Sequence, residues 1–330
     1  MKGIHVNWTK PFFHRERLRG HGFRSTRELP GECYDQPTYQ ILYTILSAGM
    51  WKHHNGTIKL YTDSIGFNFY QQFGINELYD EVDIKFLDGY SKTDIDPAYF
   101  WTSGKIKVLA NQSEPFIFMD QDMIIRQPIP DYILEGDLTV THWEIPRGYY
   151  YFEKEDWERD IKHIEFPDNY NCNDLCPNTS FLAVNNMKLK SEYSNWHKKL
   201  VATNGNYVPE WFWLLTDQGI LGHVIREGDY KANTLTDRVF LANSNYSDSK
   251  DRHKGKSEQW YLPLSATDKK DTDLVWEHVW FNKIHFNMFP EFLAKETKRY
   301  FRECIELGLG KYLQHSRFKK YWDEYNNTDN

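Results

Sequence analysis

Pro115-Phe116-Ile117-Phe118-Met119-Asp120-Gln121-Asp122-Met123-Ile124-Ile125 places two carboxylates, two positions apart, inside an apolar run. Aromatic and β-branched residues at this density, with Pro115 at the edge, predict a strand buried on both faces of a parallel sheet. Aspartate belongs in such a strand only when it is paired or holds a cation. On an extended chain the i, i+2 spacing sets Asp120 and Asp122 on one side. Two like charges that close repel unless a cation lies between them, and carboxylate oxygens suit Mg²⁺ or Mn²⁺. The carboxyl ends of the strands are where open α/β sheets bind their ligands. Asp-x-Asp by itself equally fits a strand end with two exposed turn carboxylates. Four apolar residues before Asp120 and three after Asp122 favour the continuous strand.

Upstream, strand and helix signals alternate. Residues 2–8 read as a strand. A helix begins after Pro37 and is closed by Gly49, Ile58–Asp63 is a strand, 67–73 a helix and 82–87 a further strand. Residues 97–109 form a helix leading straight into the Asp-x-Asp run. This order predicts βαβ units and a mainly parallel sheet. Downstream, 138–143 and 178–186 read as strands and 188–202 as a helix. Thr216 or Asp217 is placed to cap a helix over 218–225. Residues 246–273 are polar and loop-like, 275–286 an aromatic strand, and the chain ends in amphipathic helices over 290–307 and 310–325. The basic segment 14–19 reads as a solvated loop.

With 330 residues the chain is long enough for one elaborated α/β unit. The expected division is one α/β domain over 1–290, with an insertion at 146–177 over the acceptor side, and a helical extension over 291–330. A net charge of −7 argues against binding a nucleic acid polymer. No apolar run is long enough for a membrane span and no export signal is seen, which implies a cytoplasmic protein. The four cysteines are scattered, as in a reducing compartment, and Cys172 and Cys176 lack two further ligands for zinc.

These segments, in this order, resemble metal-dependent nucleotide-sugar glycosyltransferases of the GT-A fold. The similarity is to the glycogenin-like and lipopolysaccharide-galactosyltransferase group, family 8. The residues carrying it are Tyr61-Thr62-Asp63, Phe118-Met119-Asp120-Gln121-Asp122, Asn178 through Asn185, Asp217-Gln218-Gly219 and Lys283-Ile284-His285-Phe286. The resemblance implies a Rossmann-like sheet flanked by helices, and hexosyl transfer, with retention, from a nucleoside-diphosphate sugar to a hydroxyl acceptor on a glycan, lipid or protein. UDP is expected ahead of GDP. Asp120, Asp122 and His285 would hold Mn²⁺ or Mg²⁺, with His278, seven residues before His285, next in line. His5, Asn7, Lys105, Asp120, Asn178 and Lys283 would line the donor, and Asp217 and Gln218 the reacting sugar. The family's late Gly and Lys-Pro-Trp are missing: the chain reads Asn287-Met288-Phe289-Pro290, leaving Lys283 or Lys105 to meet the phosphates.

Two other readings compete. Phosphatases of the haloacid-dehalogenase type also carry Asp-x-Asp, but in their first strand. A degenerate GT-A protein would bind sugar without catalysis. An EF-hand loop is excluded, because Met123-Ile124-Ile125 occupies positions that need ligands and Gly.

Overall fold

The computed structural model describes residues 1–13, 33–90, 100–145, 167–171, 174–202, 215–235, 239–241, 264–265, 276–278 and 290–328. The basic segment 14–19, most of the 146–177 insertion, most of the polar stretch 246–273, and Lys283 and His285 lie outside them.

A seven-stranded sheet forms the centre, in the order β10-β6-β9-β4-β1-β2-β3. The strands are β1 (Lys2–Asn7), β2 (Ile58–Thr62), β3 (Glu81–Asp83), β4 (Phe116–Met119), β6 (Leu138–Val140), β9 (Phe181–Val184) and β10 (Ala232–Thr234). β9 is antiparallel to both its neighbours, and the other pairings are parallel. The fold is therefore a mixed, mainly parallel sheet flanked by helices.

Alternation along the strands fills two cores. Ile117 and Met119 of β4, with Phe181 and Ala183 of β9, face one apolar cluster. Phe116 and Phe118, with Leu182 and Val184, face the other. This two-sided burial is what a continuous apolar strand requires. The first cluster is covered by α1 (Thr38–His54) and by a helix at the C-terminal end, Pro290–Glu306, which contributes Tyr300, Phe301 and Cys304. The second is covered by α4 (Ser103–Ala110), α5 (Met187–Ala202) and α6 (Ile220–Glu227). The C-terminal helix over Pro290–Glu306 is α7, and α8 spans Lys319–Thr328.

Several expectations need correction. The run 115–125 is not one strand. Asp120-Gln121-Asp122 turns, with the Met123 amide donating to the Asp120 carbonyl at 2.9 Å. β5 (Met123–Ile125) then leaves the central sheet for a second one, where it is an edge strand paired antiparallel with β13 (Trp276–His278). The apolar flanks are real, but they serve two different sheets. α1 does not stop at Gly49. A side chain there would place Cβ 2.5 Å from Leu309 Cδ1, so glycine is present to let the segment after α7 pack on the helix. Residues 82–87 do not continue as a strand. Asp83 accepts from the Phe86 amide at 3.1 Å and starts α3 (Lys85–Tyr90). The span 310–325 begins as two 3₁₀ turns and becomes α-helical only from Lys319.

Candidate metal and donor site

β1, β2 and β4 run parallel, so their carboxyl ends share one edge of the sheet. Asn7, Asp63 and Asp120 sit there. Asp63 caps α2 (Ser64–Gln71) by accepting from the Gly66 amide at 2.9 Å, and it also accepts from the Thr9 amide at 2.8 Å. Burial raises its pKa, and those hydrogen bonds oppose the rise. Asn7 is 6% exposed. Its Oδ1 accepts from the Tyr34 hydroxyl at 3.0 Å, while Nδ2 has no partner among the described residues.

The turn after β4 brings the two aspartates together, and β13 completes the group. Because His278 pairs with Met123 in the β5–β13 ladder, its ring lies beside the turn. One ligand atom each from Asp120, Asp122 and His278 falls within 4.8 Å of the others. Nε2 of His278 is 3.8 Å from Oδ2 of Asp122, and both side chains are 2% exposed. Two carboxylates and an imidazole form an oxygen-rich donor set with one nitrogen, which suits Mn²⁺ or Mg²⁺. The residues present therefore fit a divalent cation. The turn resembles the alternative of carboxylates at a strand end, except that Asp122 is buried rather than exposed. A carboxylate buried in this way needs a compensating partner, and a divalent cation is one that the group could hold.

His5 lies beneath this group. Burial pushes its pKa down to about 3, with the charge of Asp122 opposing. Its Nδ1 pairs with the Tyr79 hydroxyl at 3.0 Å and its Nε2 with Ser47 Oγ at 3.2 Å. Both ring nitrogens are thus engaged in the core below the sheet edge.

Lys105 reaches over from α4. Its Nζ donates to the Thr179 carbonyl at 2.9 Å and to Thr179 Oγ1 at 2.8 Å, and lies 4.7 Å from the Phe118 ring centroid. It stands 3.6 Å from Asp120 and 3.7 Å from Asp217. Asp217 is not a cap. It sits inside a π-helical turn, Leu215–Gly219, that runs into α6. Its Oδ1 accepts from Tyr193 at 2.8 Å and from Thr179 Oγ1 at 3.1 Å. Gln218 is on the same turn and 8% exposed. Such turns recur at functional sites because the extra residue redirects side chains. Lys105 is therefore the link between the Asp120 end of the site and the Asp217-Gln218 turn.

Asn178 is set one layer back from the metal group. Its Nδ2 donates to Glu144 at 2.9 Å, and its Oδ1 accepts from the Ser180 amide and hydroxyl at 3.2 and 2.5 Å. Thr179 and Ser180, which bind the site residues directly, carry no marking in the sequence beyond their proximity to Asn178, and Tyr193 carries none. Glu277 does: a carboxylate inside an aromatic run demands a partner. It accepts from Arg126 and Arg299 at 2.5 Å each and from Tyr300 at 2.5 Å, tying β13 to α7.

A family model described as a family of unknown function, DUF6734, matches residues 1–295. No curated protein matches the chain. Among solved structures, it is similar to the galactosyltransferase LgtC in complex with donor and acceptor sugar analogs, at 12% identity. That match covers 78% of this chain and 81% of the other, with a TM-score of 0.32. Mouse xyloside xylosyltransferase 1 in its apo form is similar at 10% identity, over 72% and 85% of the two chains, with a TM-score of 0.34. A nucleoside-diphosphate-sugar pyrophosphorylase from Vibrio cholerae RC9 matches at 11% identity, over 73% and 92%, again with a TM-score of 0.34. Likenesses at this level carry no argument about activity.

Proposed function

The chain belongs to the DUF6734 family of unknown function, and we propose that it is a metal-dependent GT-A glycosyltransferase of the glycogenin-like, family 8 type. In this reading it moves a hexosyl group from a nucleoside-diphosphate sugar, UDP ahead of GDP, to a hydroxyl acceptor with retention. The observation that carries this is the convergence of Asp120, Asp122 and His278 at the carboxyl edge of the central strands, with Lys105 between Asp120 and Asp217. Three anionic or imidazole ligands next to a lysine form a site for a diphosphate and its counter-cation.

Asp120, Asp122 and His278 are the proposed ligands. When bound, Mn²⁺ or Mg²⁺ would offset the negative charge that builds on the diphosphate as the nucleotide leaves. Lys105 adds a fixed positive charge beside Asp120. Asp217 holds that lysine from the far side, and hydrogen bonds from Tyr193 and Thr179 fix the Asp217 carboxylate. A carboxylate so engaged suits orientation and electrostatic support, and Gln218 beside it is the residue offered to the sugar. Asn7, with an amide group unpartnered among the described residues, and Lys283 complete the proposed donor contacts.

Residues 1–290 would form the catalytic unit, 146–177 would cover the acceptor, and 291–330 would brace the fold. No helix among the described residues is long and apolar enough to cross a membrane, and a cytoplasmic site of action fits that observation.

Incubation with a panel of UDP- and GDP-sugars and Mn²⁺ tests the reading. Metal-dependent release of the nucleoside diphosphate supports it. Metal-dependent hydrolysis of p-nitrophenyl phosphate with no sugar-nucleotide turnover would favour the phosphatase alternative.

A further inference from the structure

His278 can hold a cation through Nε2 only if its proton sits on Nδ1, and the structure holds a chain of groups that dictates this. Nδ1 of His278 lies 3.3 Å from the Ser180 hydroxyl oxygen. A hydroxyl has one proton to give and two lone pairs to receive with. The Ser180 proton is directed at Asn178 Oδ1, 2.5 Å away. That amide oxygen has no proton to give, and it also accepts from the Ser180 amide at 3.2 Å.

The orientation of Asn178 is fixed in turn. Its Nδ2 donates to Glu144 Oε1 at 2.9 Å, and the same oxygen receives His142 Nε2 at 3.0 Å. Burial alone would raise the Glu144 pKa, but the hydrogen bond and charge of His142, the bond from Asn178 and the charge of His278 together outweigh it and hold the carboxyl below its usual range. An ionised carboxylate accepts only, so a flipped Asn178 would set oxygen against oxygen. Thr141 Oγ1 accepts from the Phe181 amide at 2.9 Å and lies 2.8 Å from Ser180 Oγ, so its own proton fills the hydroxyl's second lone pair. Every proton in the chain then points from the metal side toward Glu144.

We propose that Ser180, aligned by Asn178 and Glu144, is a positioning residue that accepts the Nδ1 proton of His278 and so presents Nε2 to the cation between Asp120 and Asp122. This rests on the metal-site reading above. Metal-binding imidazoles commonly need such an outer partner to fix tautomer and ring angle. None of Glu144, Asn178 or Ser180 touches the cation or the sugar in this account.

The test is Mn²⁺ affinity, read from the electron paramagnetic resonance signal of free Mn²⁺ in titrations of the full chain, with melting temperatures measured alongside. Ser180→Ala should weaken Mn²⁺ binding by roughly 10- to 100-fold, the usual effect of losing an outer-shell partner, with the metal-free melting temperature little changed. Ser180→Thr, which keeps a hydroxyl, should restore affinity to near the wild-type value. Glu144→Gln, whose amide can turn either way, should fall in between. If Ser180→Ala binds Mn²⁺ as tightly as the wild type while His278→Ala does not, the proposal is overturned and the metal site stands. If His278→Ala and Asp122→Asn also bind normally, the metal site itself is wrong and the positioning role falls with it.

Discussion

Nε2 of His278 stands 3.8 Å from Oδ2 of Asp122 because His278 is paired with Met123, the residue after Asp122, in an antiparallel ladder. The ligand group is therefore set by strand register. A one-residue slip of β13 would turn His278 away and bring Glu277 or a neighbour to the aspartates. Replacing His278 with Ala should weaken Mn²⁺ binding by at least about tenfold, since a direct ligand matters no less than an outer partner. The same titration on His285→Ala discriminates between the two histidines. The larger loss is expected at His278, and the reverse order would return the role to His285.

Lys105 is 10% exposed and faces two carboxylates, one of them nearly buried. Lys105→Met keeps the stem and removes the charge, leaving Asp217 with its two hydroxyl partners but no cation. A loss of about 2 kcal/mol in urea unfolding is expected from the uncompensated group, together with weaker binding of nucleoside diphosphate at saturating Mn²⁺. Unchanged stability and unchanged nucleotide affinity would remove Lys105 from the site.

Glu277 anchors the other side of β13. Arg126 and Arg299 also share Glu303, at 2.7 and 2.8 Å, so the cluster joins β5, β13 and α7. Glu277→Gln leaves two guanidinium groups short of a countercharge at a residue that is 4% exposed. Breaking a buried pair from one side costs about 3 kcal/mol, which denaturant unfolding would register. A variant as stable as the wild type would mean that the cluster is solvated and structurally idle.

Two buried histidines set a pH dependence. Burial lowers the pKa of His5 to about 3 and that of His197 to about 4. Both take up a proton near pH 6.5 when the chain unfolds. Between pH 6.5 and those lower values the unfolded state binds more protons, so stability is full above pH 6.5 and falls as the pH drops. Each histidine contributes a slope of about 1.4 kcal/mol per pH unit across its window. His197→Gln should flatten the profile between pH 6 and about 4 by that amount, relative to wild type. An unchanged slope would mean that His197 is protonated in the folded protein.

Much of the central sheet is legible because β2, β4, β6 and β9 are buried throughout, and the runs 2–8, 58–63, 138–143 and 178–186 all hold strands, whereas β10, which is only partly buried, carries no such signal. The Asp-x-Asp run looks like one strand in sequence because local pattern does not reveal which sheet a residue joins. Ile124 and Ile125 are as apolar as Ile117, yet they pair with β13, far along the chain. Val82 to Leu87 misled for a similar reason, since Asp83 can sit in a strand or cap a helix and only its bond to the Phe86 amide decides. The aspartates, Lys105 and the Asp217-Gln218 pair could be picked out as charges in apolar or helical company. Ser180 and Thr179 could not, because a hydroxyl in a strand carries no sign of what it binds until the partner strand is in place.

Calorimetric titration of UDP and, separately, of GDP into the wild type and Asp122→Asn, with and without Mn²⁺, reads the coupling of metal and donor directly. UDP should bind at least about tenfold more tightly with Mn²⁺, and Asp122→Asn should lose a similar factor. Equal binding without the metal, or no binding of UDP or GDP under either condition, would contradict that coupling.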